Sequence, residues 1–298
     1  MRVSRWLALP ALLLLPLLLL LANEYATARP SRRTPDVPYV PATDPAYDAE
    51  RHLLDVYAPR QKATTPYPVV VFIHGGSWNS GNKNFYSFIG RRLAKQGVVA
   101  VVLNYRLSPQ VEVPAMADDC ARAVIWTTRH IRKYGGDPQR LFLMGHSAGG
   151  GLAALLAADN RLFERRGLVQ NPVRGTLLDD PAGLDMLDYL TRLEYDGDAK
   201  YLIPYGRKPA VWKDMSALYH VTAATPPFVV FIGGETYPSI RNSSRKFEQK
   251  LTGLGRAPQF AVLPGKKHAP MVLQLYWQDN VIYRELLRLI GSGAVVSK

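Results

Sequence analysis

Gly145-His146-Ser147-Ala148-Gly149 stands where an apolar run, Leu141-Phe142-Leu143-Met144, meets an Ala/Leu-rich stretch from Leu152 to Ala158. The run reads as a buried strand and the stretch as a helix. A G-x-S-x-G pentapeptide at such a junction lets the chain turn sharply, because its glycines tolerate backbone that other residues resist. It holds the central serine in a strained conformation with the hydroxyl projecting. Ser147 is therefore the first candidate nucleophile. The pentapeptide alone is a weak signal, and its context strengthens it. Upstream, Pro68-Val69-Val70-Val71-Phe72-Ile73 is a second buried-strand run, ending in His74-Gly75-Gly76-Ser77-Trp78. A strand followed at once by glycines supplies the backbone N–H groups that stabilise a developing oxyanion.

The elements around these two stretches alternate. Leu53–Tyr57 reads as an early strand, followed by Val69–Ile73, a helix from about Phe85 to Gln96, and Val98–Leu103. A long helix from about Ala115 to Tyr134 leads to Leu141–Met144 and the serine turn. Val173–Leu178, Phe228–Ile232 and Phe260–Leu263 follow as strands, before a helix from about Pro270 to Ile290. Short apolar strands alternating with amphipathic helices predict an α/β fold, a mainly parallel sheet covered on both faces. Residues 49–298 are expected to form this domain. Within it, residues 181–226 are too long for a plain connection. They carry Tyr189, Tyr195, Tyr201, Tyr205, Trp212 and Tyr219, and are expected to cap the site. The alternative is a surface excursion whose aromatics fill a small core of their own.

At 298 residues, 47% hydrophobic and 20% charged, the chain is long enough to bury a sizeable core. Arg2 and Arg5 precede an apolar run from Trp6 to Ala22, and Ala26-Thr27-Ala28 offers the small residues a signal peptidase reads. Residues 1–28 are therefore expected to be a cleaved export signal, which puts the mature chain in the periplasm or outside the cell. The alternative is an N-terminal membrane anchor, since Pro10 and Pro16 interrupt a run near the lower limit for spanning a bilayer. Residues 29–48, rich in Pro and Arg, read as a linker without a core. The single cysteine, Cys120, has no partner for an internal disulfide and reads as a buried small hydrophobe. The net charge of +13 is spread in ones and twos with no base-reading motif. It argues against a nucleic-acid partner and for attraction to an anionic membrane or envelope surface.

Further stretches point the same way: Leu54-Asp55-Val56-Tyr57, Asn104-Tyr105-Arg106-Leu107-Ser108-Pro109, Val113-Pro114-Ala115 with Asp118-Asp119, and Tyr134-Gly135-Gly136-Asp137-Pro138. Together with the His74–Trp78 and Gly145–Gly150 stretches, they resemble the α/β-hydrolase branch that holds carboxylesterases, hormone-sensitive-lipase-like, feruloyl-esterase-like and kynurenine-formamidase-like enzymes. The resemblance covers about residues 50 to 290. It implies that Gly75, Gly76 and Ala148 donate backbone N–H groups to an oxyanion. His74 is expected to bond its own loop.

Chain order in this fold puts the general base after the last strand. Of six histidines only His268, in Pro264-Gly265-Lys266-Lys267-His268-Ala269-Pro270, lies there. His146 is expected to face away from Ser147 and to be structural. The acid departs from the usual pattern, which carries an aspartate three residues past the glycine ending the Phe228–Ile232 strand. Here that place holds Thr236. Two carboxylates compete: Glu235, one residue off, and Asp180, which ends the preceding strand. Asp180 is preferred, because a threonine in the usual place points to a role that has moved. The resemblance implies a serine hydrolase acting on small-molecule carboxylic esters through an acyl-enzyme, with an arylformamidase-like amidase or a lipase next. The reading from another class is a catalytically silent binding protein of the same fold. No metal or organic cofactor is expected, since no His/Cys/Asp cluster has ligand spacing.

Overall fold

Eight strands form one sheet: β1 (Ser31–Pro38), β2 (Leu53–Pro59), β3 (Tyr67–Ile73), β4 (Val99–Leu103), β5 (Gly136–His146), β6 (Val173–Asp179), β7 (Phe228–Gly233) and β8 (Gln259–Leu263). This is a computed structural model, describing residues 31–61, 63–194 and 196–292 together with Leu19 and Ala22. The expected export signal, apart from Leu19 and Ala22, and Tyr195 of the expected cap lie outside the described residues. The strand order is β1-β2-β4-β3-β5-β6-β7-β8. The β1–β2 and β2–β4 pairs are antiparallel, and every neighbour from β4 to β8 is parallel.

The central strands are apolar on both faces, as a sheet covered by helices on both sides requires. Val69, Val71 and Ile73 of β3 pack with helices α2 (Val113–His130) and α3 (Ala148–Ala158). Val70 and Phe72 face the other way, onto helix α1 (Ser87–Lys95) and the C-terminal helix of residues Val281–Ser292. The period-2 alternation thus builds two cores from one strand. The chain leaves β3 for β4 on one side and returns across it to β5 on the other. Ligands of open α/β sheets bind beyond the strand C-termini at such a reversal, where the loops after β3 and β5 carry His74–Trp78 and Ser147.

Two expectations are corrected. Residues 31–38, read as part of a linker, are the edge strand β1, and Tyr39 and Val40 beyond it are buried. Its side chains are largely exposed, so it lacks apolar alternation, and charge holds it instead. Lys83, only 1% exposed, donates to Asp36 and Asp55 at 2.6 Å each, and Arg33 Nε donates to Asp55 at 2.8 Å. The expected single helix from about Pro270 to Ile290 is two: His268–Leu273 and Val281–Ser292, separated by a 3-10 turn at Gln274–Tyr276. Asn280 makes the break. Its Nδ2 donates to the Trp277 carbonyl at 2.6 Å, and its Oδ1 accepts the Tyr283 N–H at 3.1 Å, capping the second helix.

Residues 181–226 contain helices α4 (Met186–Arg192) and α5 (Pro209–Asp214) among shorter turns. Their aromatics reach beyond a core of their own. The rings of Tyr201 and Tyr205 pack edge-on against Trp78, at 5.8 and 5.0 Å between centroids. Helix α6 (Pro238–Gly253) follows β7, and His268–Leu273 and Val281–Ser292 become α7 and α8. Among the described residues no helix is long and apolar enough to cross a membrane.

Candidate active site

Ser147 sits between β5 and α3 with φ 55° and ψ −127°, a conformation a β-carbon disfavours. Surrounding hydrogen bonds over-determine it. The Ser147 N–H donates to the Asp179 carbonyl at 3.2 Å, while its own carbonyl accepts N–H groups from Gly150, Gly151 and Ala182 at 2.9, 3.1 and 2.9 Å. The glycine at 149 is a matter of space: a Cβ there would lie 2.2 Å from the Ile73 carbonyl oxygen. Helix α3 can therefore start directly against the end of β3. Gly75 is likewise pressed onto Ser147, with a Cβ position 2.9 Å from the serine Cβ.

The structure brings Ser147, His268 and Asp180 into one hydrogen-bonded chain. His268 Nε2 lies 2.8 Å from Ser147 Oγ, and His268 Nδ1 lies 2.6 Å from Asp180 Oδ2. A carboxylate accepts only, so Nδ1 carries the proton and Nε2 is left to accept the serine O–H. Asp180 is fully buried and has two more donors, the Gly233 N–H on Oδ1 at 2.9 Å and the Thr236 hydroxyl on Oδ2. Thr236, in the usual place of the acid, thus donates to the aspartate that reaches in from β6. Glu235 does not join the chain of bonds. It is exposed, with its backbone N–H on the Lys266 carbonyl at 2.9 Å, and His268 Nδ1 is bonded to Asp180. Among the described residues, no turn or loop backbone bond engages the N–H groups of Gly75, Gly76 or Ala148.

The loop after β3 is held by its own histidine, as expected. His74 Nδ1–H donates to the Gly75 carbonyl at 2.8 Å, and burial pushes its pKa down to about 4, so the ring is neutral. Arg51 braces the same loop, with Nε on the Tyr105 carbonyl at 2.8 Å and Nη1 on the Gly81 carbonyl at 3.1 Å. Beside Ser147 and His268 opens a cavity of about 410 Å³, walled by Trp78, Met186, Tyr189, Tyr201, Tyr237 and Ile240. Sequence reasoning missed Tyr237 and Ile240 because they lie on the exit from β7 in a stretch read only for its acid.

Among the described residues, one ligand-type cluster lies elsewhere. Asp159, Asp214 and His220 converge, but Arg161 already supplies the cation, at 2.7 Å from each carboxylate and 3.4 Å from His220 Nδ1.

Asp179, next to Asp180, is fully buried with neither carboxyl oxygen hydrogen-bonded, and burial pushes its pKa well above the usual carboxylate range. The folded chain therefore keeps a proton that the unfolded chain sheds above about pH 4. Stability lost through this group grows as pH rises, by about 1.4 kcal/mol per pH unit until its folded pKa is reached. Asp179→Asn, which resembles the protonated acid, is expected to be more stable than wild type in urea at pH 7. The gap should be smaller at pH 5 than at pH 7, other titrating groups being common to both proteins. A gap that is constant with pH contradicts this reading of Asp179.

The sheet order, the strained serine and the Ser–His–Asp chain define the α/β-hydrolase class. The BD-FAE family model matches residues 54–251, and the chain belongs to that family. A probable isoprenylcysteine α-carbonyl methylesterase of Arabidopsis thaliana is 29% identical over 255 residues, 80% of this chain and 52% of that one. The probable carboxylic ester hydrolase LipM of Mycobacterium tuberculosis is 32% identical over 238 residues, covering 75% and 54%. The chain thus spans little more than half the length of these curated relatives. Among solved structures, esterase B from Lactobacillus rhamnosis superposes with a TM-score of 0.74 at 22% identity, over 96% of this chain and 97% of that one, a likeness of fold.

Proposed function

We propose that the chain is a serine carboxylesterase. Ser147 Oγ attacks the ester carbonyl while His268 Nε2 takes its proton. The same nitrogen then returns the proton to the leaving alcohol, and the acyl group stays on Ser147 until water repeats the sequence. Asp180 holds the Nδ1 tautomer and faces the imidazolium as it forms. The N–H groups of Gly75, Gly76 and Ala148 receive the oxyanion, each worth about 3–4 kcal/mol of barrier in comparable sites. The observation that carries the proposal is the unbroken chain from Ser147 Oγ through His268 to Asp180, at 2.8 and 2.6 Å. The names of the relatives, a methylesterase and a carboxylic ester hydrolase, support an ester over an amide.

The cavity of about 410 Å³ lies toward the small end of ligand pockets, which run about 300–1,000 Å³. This supports a short acyl or alcohol group. The test is a p-nitrophenyl ester series from acetate to palmitate, with an anilide alongside. Turnover is expected on the short esters, falling steeply with chain length. A folded protein that cleaves none of them overturns the esterase and leaves the silent binding protein. Cleavage of the anilide in preference to the esters makes it an amidase.

A further inference from the structure

The loop that carries His268 is anchored by backbone bonds from the exit of β7, Gly234 N–H to the Leu263 carbonyl at 2.8 Å and Glu235 N–H to the Lys266 carbonyl at 2.9 Å, and otherwise lies at the surface. Pro264, Gly265, Lys267 and Ala269 are exposed, and Gly265 adopts φ +67°. A base must nevertheless keep its ring within hydrogen-bond reach of the serine, because small misplacements lower rates severely. His146 supplies a restraint from the rigid end of β5. Its Nε2–H donates to the backbone carbonyl of His268 at 3.3 Å, and its ring lies against the His268 ring, with centroids 4.8 Å apart and planes 29° from parallel. Rather than playing only a background part, the residue before the serine grips the residue that carries the base.

The surroundings keep His146 neutral, so it does not compete with His268 for a proton. It is only 5% exposed, and burial, with the charge of a protonated His268, pushes its pKa down to about 3. Its registered neighbour across β5–β6 is Asp179, a buried acid whose pKa is pushed up. The nearby carboxylate, Asp180, is already bonded to His268, Thr236 and Gly233.

We propose that His146 is a positioning residue for His268, its Nε2–H fixing the backbone of the base so that the dipeptide His146–Ser147 holds His268 at two points, the carbonyl and the ring. The inference rests on the reading of His268 as the base.

The test compares wild type with His146→Ala, His146→Phe and His146→Gln on p-nitrophenyl acetate. The phenylalanine keeps a packed ring without the donor, and the glutamine offers a donor at about the same reach. Ala and Phe are expected to lose about 10-fold or more in kcat with KM within about twofold, and Gln to stay within about threefold of wild type. A second readout needs no turnover. The downfield Nδ1–H proton resonance of His268, assigned by its loss in His268→Ala, should be sharp in wild type and in Gln but broadened in Phe. Wild-type kcat in the Phe variant, or losses that appear in KM instead, overturns the inference. A wild type that hydrolyses nothing while the resonances follow the expected pattern overturns the esterase reading and leaves the positioning role standing.

Discussion

Ser147→Ala is expected to lower kcat/KM on short p-nitrophenyl esters by about 10⁴-fold or more, with the melting temperature unchanged. Nucleophile and base act as one unit, so removing either forfeits nearly all that they contribute together. The fold does not depend on the hydroxyl. The elbow is held by backbone bonds from Asp179, Gly150, Gly151 and Ala182, and alanine at φ 55° meets the same strain as serine. What remains should be the residual rate of an oxyanion site acting on bound substrate. A folded variant with wild-type turnover removes Ser147 from the chemistry.

The acid gives the second large effect. Asp180→Asn is expected to lower kcat by about 10⁴-fold, because an amide facing Nδ1 stabilises the wrong tautomer of His268. Glu235→Gln should leave kcat within about twofold, since Glu235 is exposed and His268 Nδ1 already has its partner. Steady-state kinetics on the two folded variants decide between them. A crippled Glu235→Gln beside a near-normal Asp180→Asn assigns the acid to the loop after β7.

Most of the fold and the heart of the site were legible because they are local in sequence. The strand, the glycine turn and the helix around Ser147 lie within one short stretch, as do β3 and its glycines. His268 followed from chain order once the last strand was placed. Asp180 was harder to read, since the choice rested on a threonine where an aspartate was expected. The reason appears only in space: residues 180 and 236 lie in the turns that follow the neighbouring strands β6 and β7, and the threonine donates to the aspartate.

Features held together by polar contacts between distant residues were not legible. Strand β1 hides its place in the sheet because its anchor is the buried amine of Lys83 between Asp36 and Asp55, which leaves no period in hydropathy. The break between α7 and α8 depends on the side chain of Asn280, which periodicity averages away. His146 was read as structural and facing away from its serine. Sequence gave no sign that its ring would meet a residue that the chain brings back only after β8.

The most direct test is intact-mass and peptide analysis of the full chain after exposure to a fluorophosphonate. The account requires one covalent adduct, on Ser147, formed rapidly in wild type and at least about 10³-fold more slowly in His268→Ala, since the hydroxyl is activated only through that ring. No adduct on folded protein, an adduct on another residue, or equally fast labelling of Ser147 without His268 contradicts it.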